Sequence, residues 1–206
     1  MMSFDMSNMT IFVKNGSVEL FEILPDTNIG TLNLLTADCV SLASKIMYTL
    51  KKLKKLILWG TYSERCTVQL PKTLECISLQ KVECSADRLC SLLIALSSLD
   101  HFVRCHYLDV VLQPWEYSSG GDSQTHVSDL RSEMPSLDMT HMPIDVENGS
   151  VELFEILRDT SIGILVLRTE DCASSASRIM CTLKKLTKLF CGGLTVSDVL
   201  YSCLRH

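Results

Sequence analysis

Met1 to Leu56 is written a second time as Met134 to Leu189, and this duplication restricts the fold more than any single residue does. The offset is about 133 residues and roughly two thirds of the paired positions are identical, far above what unrelated segments show. The run Asn15-Gly16-Ser17-Val18-Glu19-Leu20-Phe21-Glu22-Ile23-Leu24 returns unchanged as Asn148 to Leu157. Units that recur in this way bury their apolar faces against one another, so the chain reads as a repeat protein that acts by binding on a repeated surface.

A shorter rhythm runs inside each copy. Two apolar residues separated by one other occur at Ile11/Val13, Leu32/Leu34, Leu56/Leu58, Ile77/Leu79, around Leu108 to Leu112, and at Ile144/Val146, Leu165/Leu167 and Leu189/Cys191. Steps of about 21, 24 and 21 residues separate neighbours, and each alternation fits a short strand. Between them the apolar period lengthens to about 3.6, the helical value. Asp38 is expected to cap a helix carrying Cys39, Leu42, Ala43, Ile46, Met47, Leu50 and Leu53, and Ser85 one carrying Leu89, Leu92, Leu93 and Leu96. Val18 to Leu24 predicts a shorter helix ended near Pro25. Lys51, Lys52, Lys54 and Lys55 then fall at a helix end, where positive charge meets the negative end of the dipole; this is preferred to a partner-binding patch. Pro114 to Ser136 departs from the pattern, and Tyr117 to Gln124 is polar, small and aperiodic. The expected organisation is a first block over 1–113, a flexible insertion or linker over 114–136, and a second, truncated block over 137–206 that duplicates 1–60.

With 206 residues and 47% hydrophobic content, the chain has ample material for a core. A net charge of −5 without a long basic run gives no footprint for phosphate backbones, so nucleic acid is not an expected partner. Most of the ten cysteines read as small buried hydrophobes. Cys39 and Cys172 coincide in the two copies, but Tyr48 becomes Cys181 and Leu58 becomes Cys191, exchanges that suit packing and not a disulfide or metal ligand. No secretory signal is visible, and Lys51-Lys52, Asp87-Arg88 and Asp109 break the most apolar stretches before any reaches the length of a membrane span. A cytoplasmic location is expected. Sequons at Asn8, Asn15 and Asn148 point weakly the other way, yet Asn-Gly makes a turn and Ser17 or Ser150 can cap the helix behind it.

Ile29-x-x-Leu32-x-Leu34, Leu53-x-x-Leu56-x-Leu58 and Leu74-x-x-Ile77-x-Leu79 match the strand half of a leucine-rich repeat. The chain resembles that family over nearly all its length except Pro114 to Ser136. The resemblance implies an α/β solenoid or horseshoe, with short parallel strands on the concave face, helices on the convex face, and protein recognition as the activity. It also makes the large cytosolic sensors with a nucleotide-binding (NACHT) domain ahead of such repeats a fitting parent. One departure is clear: where the family carries Asn or Cys after the strand, this chain has Gly16, Ala37, Thr61, Val82 and Glu170. The repeats are degenerate, and the buried ladder of side-chain amides is expected to be missing.

Comparing the copies separates scaffold from display. Inward strand residues are kept, whereas Phe12 becomes Asp145, Lys14 becomes Glu147, Asn33 becomes Val166, Leu35 becomes Arg168 and Ile57 becomes Phe190. Alternation places these off the sheet, where a partner would touch, and drift at exposed positions is the equal alternative. The expected partner-binding set is Asn33, Leu35, Ile57, Trp59, Ser78, Gln80, Asp145, Glu147, Val166 and Arg168. Trp59, followed by Tyr62, is the strongest single anchor candidate, set against packing under the next loop; Glu64 and Arg65 would form a polar rim.

His101-Phe102-Val103-Arg104-Cys105-His106 is the one place where nucleophile, base and ligand types crowd together. Cys84 and Cys90 form no C-x-x-C unit with it, and adjacent strand residues such as Cys105 and His106 point apart. No phosphate loop, nucleophile elbow or zinc helix occurs. The reading is a non-enzymatic interaction module with no catalytic, metal or cofactor residues and a protein partner. The alternatives are a truncated piece of a longer array, able to self-associate through uncapped ends, or part of a secreted or surface receptor.

Overall fold

Each of the eight apolar alternations becomes a strand in the computed structural model, which describes residues 9–14, 18–36, 43, 46–62, 69–112, 134 and 137–192. They are β1 (Thr10–Val13), β2 (Thr31–Leu34), β3 (Lys55–Tyr62), β4 (Cys76–Cys84), β5 (Arg104–Leu112), β6 (Ile144–Asn148), β7 (Ile164–Leu167) and β8 (Lys188–Cys191). The fold is α/β, with a single eight-stranded sheet in which all neighbours are parallel and lie in chain order. The sheet continues from β5 to β6 across the segment 113–133, which lies outside the described residues.

Register turns the alternation into columns. Ile11, Leu32, Leu56, Ile77, Cys105, Ile144, Leu165 and Leu189 stand side by side across the sheet. The six inner members are closed to solvent, and Ile11 and Leu189 at the two edges are half-buried. Val13, Leu34, Leu58, Leu79, Val146 and Leu167 are buried on the same face.

Helices cover that face. Among the described residues they include α1 (Val18–Ile23), α2 (Ala86–Ser97), α3 (Val151–Leu157) and α4 (Glu170–Met180). Their buried residues, among them Leu89, Leu93 and Leu96 of α2 and Ala176 and Ile179 of α4, join the strand columns in one core cluster. Ser85 caps α2 by accepting from Arg88 N at 3.2 Å, and Ser150 caps α3 by accepting from Leu153 N at 3.2 Å, as the sequence suggested. Ser17 lies outside the described residues.

One helix expectation falls outside the described residues and two need correction. In the second copy the cap of α4 is Thr169, which accepts from Cys172 N at 3.2 Å, so Asp171, the counterpart of Asp38, sits in the first helical turn. Asp38 itself lies outside the described residues. In the first copy Ala43 is helical, but Met47–Thr49 is a 3-10 turn and Leu50 and Leu53 lie beyond it. The Thr49 hydroxyl donates to Ile46 O at 2.6 Å, a local bond that competes with helix propagation. The lysines therefore follow a 3-10 turn, and Lys54 pairs with Glu75 at 2.8 Å.

Successive turns are tied by side chains bonded to backbone. Thr73 Oγ1 donates to Leu53 O at 2.8 Å and Thr187 Oγ1 to Gly163 O at 2.9 Å. Cys172 accepts from Gly149 N at 3.1 Å and donates to Glu147 O at 3.3 Å, so a thiol two residues beyond Glu170 takes the linking role expected to be missing. Gly163 allows close passage, since a Cβ there would stand 2.7 Å from Thr140 O.

Cys76, Cys84, Cys105, Cys172, Cys181 and Cys191 carry no disulfide, and burial pushes the Cys84 and Cys105 thiols up to about 12. Native-state alkylation read by peptide mapping should modify exposed Cys181 promptly and Cys105 only on global unfolding. Within one column, Leu165→Ala should cost about 2–5 kcal/mol in urea unfolding, and Leu189→Ala distinctly less because its site is already half open.

Candidate recognition face

The opposite face of the sheet carries no helix among the described residues. Parallel sheets are ordinarily covered on both sides, so an open one is unusual in itself. Its middle row runs Phe12, Asn33, Ile57, Ser78, His106, Asp145, Val166 and Phe190 from β1 to β8. Asp145 falls beside His106 because Cys105 pairs with Ile144.

All ten expected contact residues lie on or beside this face, but they are not equally available. Arg168 is exposed, and Leu35, Ile57, Trp59, Gln80, Glu147 and Val166 are half-buried. Asn33, Ser78 and Asp145 are buried, a correction to the expectation that an outward residue is an exposed one. Short side chains in a row of long ones are covered by their neighbours on adjacent strands, about 4.8 Å away. Trp59 is neither a free anchor nor fully packed: its Nε1 is enclosed with no hydrogen-bond partner, and its carbonyl accepts from Tyr62 Oη at 2.8 Å. Asn33 Oδ1 is likewise enclosed and unpartnered. Glu64 and Arg65 lie outside the described residues.

The structured centre of the face is at β5, β6 and β7. Asp145, with only 7% of its side chain exposed, takes Arg168 Nε on Oδ1 at 2.7 Å and Arg168 Nη2 on Oδ2 at 2.5 Å. His106 Nδ1 lies 2.9 Å from Asp145 Oδ2. The Arg168 guanidinium also sits over the Tyr107 ring at 5.2 Å, and the rings of His106 and Tyr107 meet edge to face at 4.2 Å. Hydrogen bonding to Asp145 raises the Arg168 pKa, so its charge is permanent. A carboxylate this enclosed would be costly alone; the arginine fork and the imidazole make it tenable.

Tyr107 reaches the cluster through a bulge. Between Cys105 and Leu108 β5 spends three steps where β6 spends two, from Ile144 to Val146, and Tyr107 adopts φ 52°. A second bulge places Lys81 at φ 50° in β4, opposite Gly60 at φ 89° in β3. Non-glycine residues at such angles cost about 1–3 kcal/mol each and persist where the surroundings hold them. His106 and Tyr107 were missing from the sequence-derived set. The inward spacing Cys105, Leu108, Val110, three and then two, was the available signal.

Cys105 and His106 project to opposite faces, Cys105 into the core. Ser78, His106 and Asp145 share a row, and Ser78 is fully enclosed, its hydroxyl accepting from Gln80 Nε2 at 3.0 Å. Among the described residues no three His, Cys, Asp or Glu side chains could hold a metal ion.

Over 74 residues, 36% of its length, the chain is 36% identical to the "Putative transmembrane protein ORF807" of Acidianus filamentous virus 1, of which that stretch is 9%. No family model matches the chain, and no solved structure matches it. Among the described residues no helix is long and apolar enough to cross a membrane.

Two tests follow from these contacts. Arg168→Leu should lower unfolding stability by about 1–3 kcal/mol, less than for a wholly buried pair because Arg168 is partly in solvent. Adding Asp145→Phe, which recreates the Phe12/Leu35 pair of the first copy, should recover much of that loss in the same urea titration. His101 Nε2 lies 2.6 Å from Leu74 O, which raises its pKa above the usual 6.5 and ties the loop before β5 to the loop before β4. A raised folded pKa stabilises fully below the unfolded value and is lost as pH climbs through the folded one. Unfolding midpoints should therefore fall as pH rises above about 6.5 in the wild type, and less so in His101→Gln.

Proposed function

We propose that the chain is a leucine-rich-repeat-like solenoid that recognises a protein partner on the open face of its sheet, with Tyr107, Arg168 and Glu147 at the centre of contact. The observation that carries this reading is the open parallel face itself, with a fixed aromatic and ionic cluster standing on it. The strands and their register resemble what leucine-rich repeats imply, and a row of parallel strands offers many separate side chains at about 4.8 Å intervals. The Arg168 guanidinium has five N–H donors and gives two to Asp145, so three are left for a partner's carboxylate or carbonyl. Tyr107 supplies rigid apolar area beside it, and the combination of aromatic and arginine is typical of residues that dominate binding energy. No part of this requires a cofactor or bond-making step.

The test is affinity capture with purified chain, scored by quantitative proteomics across three baits: wild type, the compensated double variant Asp145→Phe/Arg168→Leu, and Ser174→Arg on the exposed side of α4. Partners retained by wild type and Ser174→Arg but depleted at least about tenfold by the double variant would fit a loss of more than 1.4 kcal/mol at the face. Equal depletion by Ser174→Arg, or no effect of the double variant on any partner, would defeat the reading.

A further inference from the structure

The two edges of the sheet are copies of strands that are paired inside it. β6 duplicates β1, and its outer side is covered by β5: Cys105 stands beside Ile144, and Cys105 N donates to Pro143 O at 3.0 Å. β8 duplicates the start of β3, whose outer side is covered by β4 in an unbroken register from Lys55/Cys76 to Leu58/Leu79. Among the described residues nothing pairs with the outer side of β1 or of β8. Native sheets usually blunt such edges with proline, bulges or inward charges. β1 has none of these, with Thr10 where its duplicate has Pro143 immediately before the strand, and β8 has only Lys188.

The edges also fit each other. The core column is closed through six strands and left half open at Ile11 and Leu189. On the open face the same happens to the middle row, which ends in Phe12, 67% exposed, and Phe190, 53% exposed. The backbone parity agrees. Lys188 N and Gly192 N donate to β7, at Gly163 O and Leu167 O, so Leu189 N faces outward. Thr31 N and Leu35 N reach Met9 O and Val13 O, so Thr10 O faces outward from β1. Leu189 N to Thr10 O is the same bond, in the same column, as Cys105 N to Pro143 O.

We propose that copies of this chain associate head to tail, the β8 edge of one pairing in parallel with the β1 edge of the next, so that Leu189 meets Ile11 and Phe190 meets Phe12 across the junction. Each junction leaves one free β1 and one free β8. The contact is therefore heterologous and builds open chains or closed rings, unlike a two-fold dimer, which would stop at two. It uses the sheet edges and is independent of partner binding at the Arg168 cluster.

Sedimentation velocity of the full chain, in reducing buffer over a concentration series, tests the proposal with three samples. Wild type should show a weight-average sedimentation coefficient that climbs past the dimer. Phe12→Glu and Phe190→Glu, substitutions at largely exposed sites, should each keep the wild-type far-UV spectrum and melting temperature and sediment as monomers. Mixed in equal amounts they should form a species of two chains and no larger, because one retains only a working β8 edge and the other only a working β1 edge. A chain carrying both Phe12→Glu and Phe190→Lys, which restores attraction across the junction, should again exceed the dimer and serves if either single variant is destabilised. Wild type that stays monomeric or stops at two, single variants that assemble like wild type, or a mixture without dimer would overturn the proposal.

Discussion

Parallel pairing in a fixed register is the constraint on which everything else rests. Because side chains alternate along a strand, a residue's fate is set by parity, and register then carries that parity unchanged across eight strands. Leu32 and Leu165 are both fully buried for the same reason that Phe12 and Phe190 are both left out. The helices need only cover one side. The core forms as a single ridge of inward columns, and the other side is free to diverge, subject to whatever its own neighbours demand.

That last condition explains how the two copies differ. Phe12 and Leu35 in the first copy stand where Asp145 and Arg168 stand in the second, and the latter two are in bidentate contact. Introducing an enclosed aspartate without its arginine would leave a charge in a site that excludes water, at several kcal/mol. The two exchanges make physical sense only together. His106, contributed by β5 and so by neither duplicated segment, completes the arrangement from the other side. The centre of the open face thus lies where the second copy abuts the strand that precedes it.

Irregularity in the sheet is concentrated at the same place. β4 and β5 are the longest strands, nine residues each, and both carry a bulge with a left-handed residue, Lys81 or Tyr107. A bulge re-aims one side chain without disturbing the columns on either side, since Leu79, Val82, Leu108 and Val110 all remain buried. Backbone strain is exchanged here for position: Tyr107 is lifted beside Arg168, which a regular strand would not achieve. The edges obey a simpler rule. Their sequences recur in strands that are paired on both sides, and among the described residues β1 and β8 are paired on one side only, with Ile11 and Leu189 half-buried.

The amino-acid sequence by itself determined the parts of the molecule that depend on local periodicity. The eight alternations, the caps at Ser85 and Ser150, the inward placement of leucines and the separation of Cys105 from His106 all follow from period-two and period-3.6 geometry, which needs no knowledge of neighbours. Where a local hydrogen bond competed with that geometry, as at Thr49, the boundary of the helix was not legible. Tertiary structure alone decided which outward residues are reachable. Asn33, Ser78 and Asp145 share the parity of Ile57 and Val166, yet they are buried, Asp145 beneath its contacts with His106 and Arg168. It also decided that Asp145, His106 and Arg168, which stand 39 and 23 positions apart in order along the chain, form one ionic cluster. Exposure and charge pairing are properties of adjacent strands, and adjacency is created only when the chain folds.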